Sequence, residues 1–118
     1  MPEDKAEGRR IGAINSREEL RELLIMTIDD VLKTFLGDTP TKFLYSEMKR
    51  RYNFRMREIL NKPDVFTAGL NETLGSLALT VEEYIVKKLY SNLQLESGYV
   101  KGRSLVKVIR QLLMEVEG

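Results

Sequence analysis

The densest set of side chains that could do chemistry lies in one basic segment, residues 49–57, which reads KRRYNFRMR. It contains five cations and two aromatic residues, and no acid interrupts it. Cationic side chains bind phosphates with release of counterions, and an exposed aromatic ring such as Tyr52 or Phe54 can stack on a base. The segment therefore predicts an anion or nucleic-acid contact made by these side chains: Lys49, Arg50, Arg51, Arg55 and Arg57.

The same segment has a structural interpretation, which we place first. Lysine and arginine are good helix formers, and cations in the last turn of a helix interact favourably with the negative end of its dipole. The formal net charge of the chain is only +1, so no global field attracts polyanions. The segment then forms the solvent-facing side of a helical hairpin. Nucleic-acid binding and contact with an acidic protein partner are the alternatives.

The composition excludes several reaction classes. The chain has no cysteine and no histidine, which removes thiolate nucleophiles, the usual zinc sites and histidine-based triads. Adjacent acids such as Glu82 and Glu83 point apart on a helix and make no carboxylate pair. A carboxylate site for Mg²⁺ or Ca²⁺ is the one metal chemistry left open. We therefore predict no enzyme, no catalytic residue, no cofactor and no metal site.

Apolar residues recur every three or four positions along most of the chain, which is typical of amphipathic helices. The first helix is predicted to begin at a capping box, in which the Ser16 hydroxyl accepts a hydrogen bond from the amide of Glu19. It is predicted to end at Gly37, a natural left-handed stop. Its expected buried stripe consists of Leu20, Leu23, Leu24, Ile28, Val31, Leu32 and Phe35.

The second helix is predicted to have Thr39 as its N-cap and Pro40 as its first helical residue. Its expected buried side consists of Phe43, Leu44, Met48 and Tyr52. A short helix is predicted at about residues 54–60. Three more helices are predicted at about residues 63–74, 76–93 and 103–117, with Leu77 and Tyr84 in the buried stripe of the second of these and Val106 in that of the last.

These elements predict an all-α fold, a compact bundle of five or six helices with short connections. Residues 1–14 are expected to be a flexible tail. Residues 15–118 are expected to be a single helical domain, with a core over 15–95 and a C-terminal helix over 103–117. The charged N-terminus and the lack of an apolar run near twenty residues predict a cytoplasmic protein with no membrane partner.

Two helices carry more apolar surface than a small bundle needs. Four consecutive apolar residues, 23–26, spread around the first helix, and the last helix has little polar face near its end. Such a helix is either fully enclosed or shared with a partner. We predict a protein partner or a homodimer, with an interface at Leu23, Ile25, Met26, Leu113 and Met114. The alternative is a self-contained bundle with the first helix at its centre.

Residues 30–93 also carry a series of short motifs: Leu32-x-x-x-Leu36-Gly37, Arg51-Tyr52, Glu58-Ile59, Pro63-Asp64-x-Phe66-x-x-x-Leu70-x-x-x-Leu74-Gly75 and Val81-Glu82-x-x-Ile85. This pattern resembles small archaeal helical domains described as signal-transduction output domains, known from ammonia-oxidising archaea and their relatives. The resemblance implies an interaction or regulatory role and supplies no catalytic residue. The predicted function is a non-enzymatic regulatory or protein-interaction domain that self-associates; the alternative is a nucleic-acid-binding protein that uses the basic segment.

Overall fold

Helix α1, Arg17–Leu36, begins and ends where the sequence predicts. The Ser16 Oγ accepts a hydrogen bond from the Glu19 backbone N–H at 3.2 Å. Gly37 ends the helix with a φ of 96°, a left-handed conformation that glycine adopts without strain. The computed structural model describes residues 16–95 and 102–117, so the predicted flexible tail lies outside the described residues.

Four further α-helices and one 3₁₀ helix follow in the described residues. They are α2 (Asp38–Tyr52), the 3₁₀ helix (Met56–Glu58), α3 (Pro63–Leu74), α4 (Leu77–Asn92) and α5 (Leu105–Glu117). The part of the chain described contains no strand. The prediction of an all-α bundle of five or six helices is confirmed.

Helix α1 lies at the centre of the bundle and packs against α2, α4, α5 and the 3₁₀ helix. Helix α3 closes the opposite side through contacts with α2, α4 and α5. The shared core is built almost entirely from aliphatic side chains and two phenylalanines, Phe54 and Phe66. Burial of this apolar surface is the main term that holds the helices together.

Two buried threonines are satisfied by hydrogen bonds that the apolar pattern does not indicate. The Thr27 Oγ1 accepts from the Asn92 Nδ2 at 3.0 Å, which joins α1 to the end of α4 across 65 positions. The Thr41 Oγ1 donates to the carbonyl of Gly37, the N-cap of α2, at 2.7 Å, so this bond lies within the first turn of α2. A buried hydroxyl without a partner would be destabilising.

Helix α2 corrects two predictions. It begins at Asp38, one residue before the predicted cap Thr39, and no side chain caps it. Phe43, expected inside, is 59% exposed, whereas Leu44 is fully buried. Thr41 rather than Phe43 faces the core. Helix α2 is therefore rotated about its axis relative to the predicted orientation, and Phe43 points away from the core.

Smaller corrections apply along the rest of the chain. The short helix predicted over 54–60 is a single 3₁₀ turn, Met56–Glu58. Leu77 and Tyr84, expected in the core, are 40% and 52% exposed, because α4 faces its neighbours through Ala78, Val81, Ile85 and Leu89. Helix α5 begins at Leu105, two residues later than predicted. It buries that residue with Val108, Ile109 and Leu112, and leaves Val106 half-buried.

Candidate partner-binding groove

A groove of ≈ 470 Å³ lies between α1, α2 and the segment that comes after α2; we call it the α1–α2 groove. Its floor is apolar and is formed by Ile25, Met48, Phe54 and Met56. Polar side chains surround this floor, and their hydrogen bonds and ion pairs decide the electrostatic character of the groove.

The end of α2 fixes one wall of the groove. Asn53 adopts a left-handed conformation, with a φ of 53°, and its N–H donates to the Lys49 carbonyl. The chain then turns inward, so that Phe54 is 2% exposed and its ring lies 6.3 Å from that of Phe66. The Arg55 backbone N–H donates to the Glu58 Oε1 at 2.9 Å, which holds the next turn in place.

Among the described residues that line the groove, Asp29 is the one acid, and its charge is compensated by Lys33. The Tyr45 hydroxyl donates to the Asp29 Oδ1 at 3.0 Å, and the Lys33 Nζ lies 2.9 Å from the other oxygen of that carboxylate. Burial, and then the hydrogen bond to Asp29, raises the pKa of Tyr45 above its usual value, so the phenol stays protonated. The same carboxylate raises the pKa of Lys33.

Two cations at the rim of the groove have no such partner. Lys49 and Arg55 are exposed and line the groove. Within the described residues, no carboxylate oxygen lies within 4.0 Å of either side chain. Lys33 compensates the charge of Asp29, and Glu58 interacts with the charge of Arg55 only beyond ion-pair distance, so the groove presents a net positive rim above an apolar floor.

The other predicted basic residues lie elsewhere. Arg50 pairs with Glu47 at 2.7 Å, away from the groove. Arg51 bridges α2 to α3, with 3.2 Å to Glu47 and 2.7 Å to Glu72. Hydrogen bonds from Arg50 and Arg51 lower the pKa of Glu47. The five predicted cations therefore occupy several directions rather than one rim.

Arg57 is the fifth of these cations, and it is exposed outside the groove. The aromatic residues of the basic segment are poorly placed to stack on bases. Phe54 is buried at the floor of the groove. Tyr52 is half-buried, and its hydrogen bond to Glu72 raises the pKa of its phenol.

The predicted interface residues divide among separate surfaces. Ile25 lines the α1–α2 groove. Leu23 and Met26 lie in a depression on α1, and Met114 lies in another on α5. Leu113 is half-buried against the core.

Several features of the groove were not indicated by the sequence. Asp29, Tyr45 and Ser46 come together only because α1 and α2 pack side by side, and no local motif joins positions 29 and 45. The spacing of four residues between Asp29 and Lys33 is the single visible signal, since such positions are neighbours on a helix surface.

The acidic side chains and the helices also bear on metals and membranes. In residues 16–95 and 102–117, no three acidic side chains are grouped closely enough to hold a metal ion. None of the helices described reaches the length and apolar character that crossing a membrane requires.

Comparison of the chain with protein-family models, with curated proteins and with solved structures finds no match. The resemblance to archaeal signal-transduction output domains therefore stays a prediction. The function of the chain has to be inferred from the geometry of the α1–α2 groove and of the exposed helix surfaces.

Proposed function

We propose that this chain is a non-enzymatic regulatory domain of the cytoplasm that acts by binding other proteins and by self-association. The α1–α2 groove is the surface that receives the partner. The observation that carries the proposal is the combination of an apolar floor with two rim cations, Lys49 and Arg55, that form no ion pair within the part of the chain described.

The groove favours a partner segment that combines apolar and acidic side chains. An apolar side chain that entered it would lie against Ile25 and Met56, and methionine adapts its shape to different occupants. A carboxylate on the same segment would meet Lys49 or Arg55. Arginine binds a carboxylate through two parallel hydrogen bonds, which adds orientation to attraction. The resemblance to signal-transduction output domains supports a regulatory use of such binding.

Selection of random displayed peptides tests this proposal. The full chain is the bait, and a Ser46→Trp variant is the matched blocked bait, because Ser46 is a helical residue that lines the groove. Ser91→Trp, at an exposed position on α4, controls for the added indole. We expect enriched peptides that pair apolar with acidic residues, bind Ser91→Trp normally and fail to bind Ser46→Trp.

Charge-reversal variants separate the electrostatic contribution to peptide binding from the contribution of the shape of the α1–α2 groove. The double variant Lys49→Glu/Arg55→Glu should weaken the selected peptides by roughly tenfold or more, since it replaces two attractions with repulsions. Arg57→Glu, which reverses an exposed cation outside the groove, should change affinity by less than about twofold. Peptides that bind the wild type and both charge variants equally, or the absence of any peptide sensitive to Ser46→Trp, would refute the groove as the contact surface.

Nucleic-acid binding is the second candidate function. It is supported by three exposed cations, Lys49, Arg55 and Arg57, without ion pairs among the described residues. The burial of Phe54 weighs against it, because a buried ring cannot stack on a base. Titration with duplex and single-stranded DNA over a salt series distinguishes the two functions. Tight binding that falls steeply with salt and is lost in Arg55→Glu would favour this second function over the first.

A further inference from the structure

Helix α1 carries an exposed methionine among acids, which we call the acidic α1 patch: Glu18, Glu19, Glu22, Leu23 and Met26. Met26 is 59% exposed, although it lies on the central helix of the bundle. Arg21 pairs with Glu18 at 2.7 Å. Glu22 is exposed and forms no ion pair with any residue that the structure describes. The patch is therefore apolar at its centre and negatively charged along one side.

Helix α5 carries a second exposed methionine beside two cations, together with one acid, Glu115, that accepts a hydrogen bond from Gln111 at 3.2 Å; we call this surface the basic α5 patch: Lys107, Arg110, Gln111, Met114 and Glu115. Met114 is 72% exposed and lies on the side of α5 away from the core. Lys107 is exposed, with no carboxylate within 4.0 Å among the described residues. Arg110 has only a long ion pair, 3.7 Å to Asp64, between two largely exposed side chains.

We propose that the acidic α1 patch of one copy binds the basic α5 patch of a second copy. This inference rests on the self-association included in the proposed function, and it assigns the surfaces. Met26 and Met114 would pack against each other, and Glu22 would meet Lys107 or Arg110. One chain carries both halves of a complementary pair, which is the argument for a second copy as the occupant.

Charge also decides which of the two patches can meet. If two α1 patches met face to face, their glutamates would repel each other, and two α5 patches would bring Lys107 and Arg110 together with their copies. A contact between unlike patches avoids both repulsions. Two such contacts related by a two-fold axis would close an isologous dimer, whereas one contact alone is heterologous and leaves one patch of each kind open.

Single charge reversals, measured by sedimentation velocity, test the assignment. Glu22→Lys and Lys107→Glu should each weaken self-association by roughly tenfold relative to the wild type. The matched controls are Asp30→Lys and Lys87→Glu, at exposed positions on α1 and α4. They should change the affinity of self-association by less than about twofold relative to the wild type. High salt should weaken the wild-type assembly, because exposed charges are screened.

A mixing experiment tests the contact between unlike patches. An equimolar mixture of Glu22→Lys and Lys107→Glu chains should form mixed pairs under conditions where neither variant associates alone. The Glu22→Lys chain keeps an intact α5 patch, and the Lys107→Glu chain keeps an intact α1 patch. One wild-type contact is thus available in the mixture, and the two substituted patches, which carry exchanged charges, can also attract each other. The double variant Glu22→Lys/Lys107→Glu should recover part of the self-association.

Three results would overturn the inference: a wild-type chain that stays monomeric at high concentration, a Glu22→Lys chain that associates more tightly, or a mixture that remains monomeric. A monomeric wild-type chain would also remove self-association from the proposed function. The other two results would leave self-association in place and reject only the two patches as its surfaces. Peptide binding by the α1–α2 groove, measured on the same variants, should be unchanged. Failure of the groove proposal is therefore distinguishable from failure of this one.

Discussion

Tyr45 on α2 donates a hydrogen bond to Asp29 on α1, with 3.0 Å between the two oxygens. The contact joins the two helices that form the α1–α2 groove. Its acceptor, Asp29, is the acid of the groove, and Lys33 compensates the charge of that carboxylate. The hydrogen bond connects two positions that are 16 residues apart in the chain. The stability of this helix pair thus depends on the hydrogen bond, whereas the charge of the same carboxylate is compensated by the ion pair with Lys33.

Tyr45→Phe should lower the free energy of unfolding by about 1 kcal/mol, the usual net contribution of one hydrogen bond. The folded-state pKa of Tyr45 is raised above its unfolded value of about 10. Stability contributed by the neutral phenol is therefore lost as pH rises above about 10, and the variant should be less sensitive to alkali. Urea unfolding at neutral and alkaline pH measures both effects.

The control for this prediction is Tyr84→Phe. Tyr84 is 52% exposed, contacts Phe35 edge-on at 4.8 Å, and makes no hydrogen bond within the residues that the structure describes. Loss of the Tyr84 hydroxyl should change the free energy of unfolding by less than about 0.5 kcal/mol. Equal losses in the two variants would mean that the Asp29 contact contributes nothing.

Phe43 and Leu44 are neighbours that the apolar pattern treats alike and the structure separates. Leu44→Ala should lower the free energy of unfolding by about 2–5 kcal/mol, because the side chain is fully buried and its removal leaves a cavity. Phe43→Ala should change it by less than about 0.5 kcal/mol, since the ring is 59% exposed. Denaturant melts of the pair check the rotation of α2, and a larger loss for Phe43→Ala would contradict it.

Gly69 on α3 provides a test of the packing between α2 and α3. A Cβ at this position would lie 2.9 Å from the Met48 Cε and 3.0 Å from its Cγ, and Met48 is 1% exposed. The clash should cost about 1–3 kcal/mol. After a gain of about 1 kcal/mol in helix propensity, the net effect of Gly69→Ala should be a loss of up to about 2 kcal/mol.

The same Gly69→Ala change, introduced into a Met48→Ala background, should become neutral or stabilising, because the clashing atoms are gone. A double-mutant cycle in urea measures this reversal of sign. An identical effect of Gly69→Ala in both backgrounds would show that Met48 does not restrict this position.

Glu82 gives the chain a predicted dependence on pH. Burial raises the pKa of this half-buried carboxyl in the folded state, whereas the unfolded value is about 4.3. Between the two values the folded state holds more protons, so stability falls as pH rises through that interval. Glu82→Gln should therefore raise the melting temperature at pH 7, and the gain should disappear below about pH 4.

Glu83→Gln is the matched control for Glu82→Gln, since it removes the same charge at the adjacent position. Thermal melts of both variants from acid to neutral pH separate burial of Glu82 from a general effect of charge. A melting temperature of Glu82→Gln that is equal to or below the wild-type value at pH 7 would contradict the prediction.

The sequence by itself determined the helices. A period of three to four in the apolar residues, with Ser16 and Gly37 at the ends of the first helix, is a local property of the chain, and it predicts helices without knowledge of the tertiary contacts. The absence of cysteine and histidine likewise limited the chemistry before any fold was known. The basic segment could be identified for the same reason, because the charge and composition of a segment follow directly from its residues.

Only the tertiary structure decided which way each helix faces and which charges stay unpaired. Phe43 and Leu44 differ by one position, but packing against α1 buries only Leu44. Arg51 and Lys49 look alike in the sequence, yet a carboxylate on α3 neutralises only Arg51. Rotation about a helix axis and ion pairs between helices depend on neighbours far along the chain, and local sequence does not encode those neighbours.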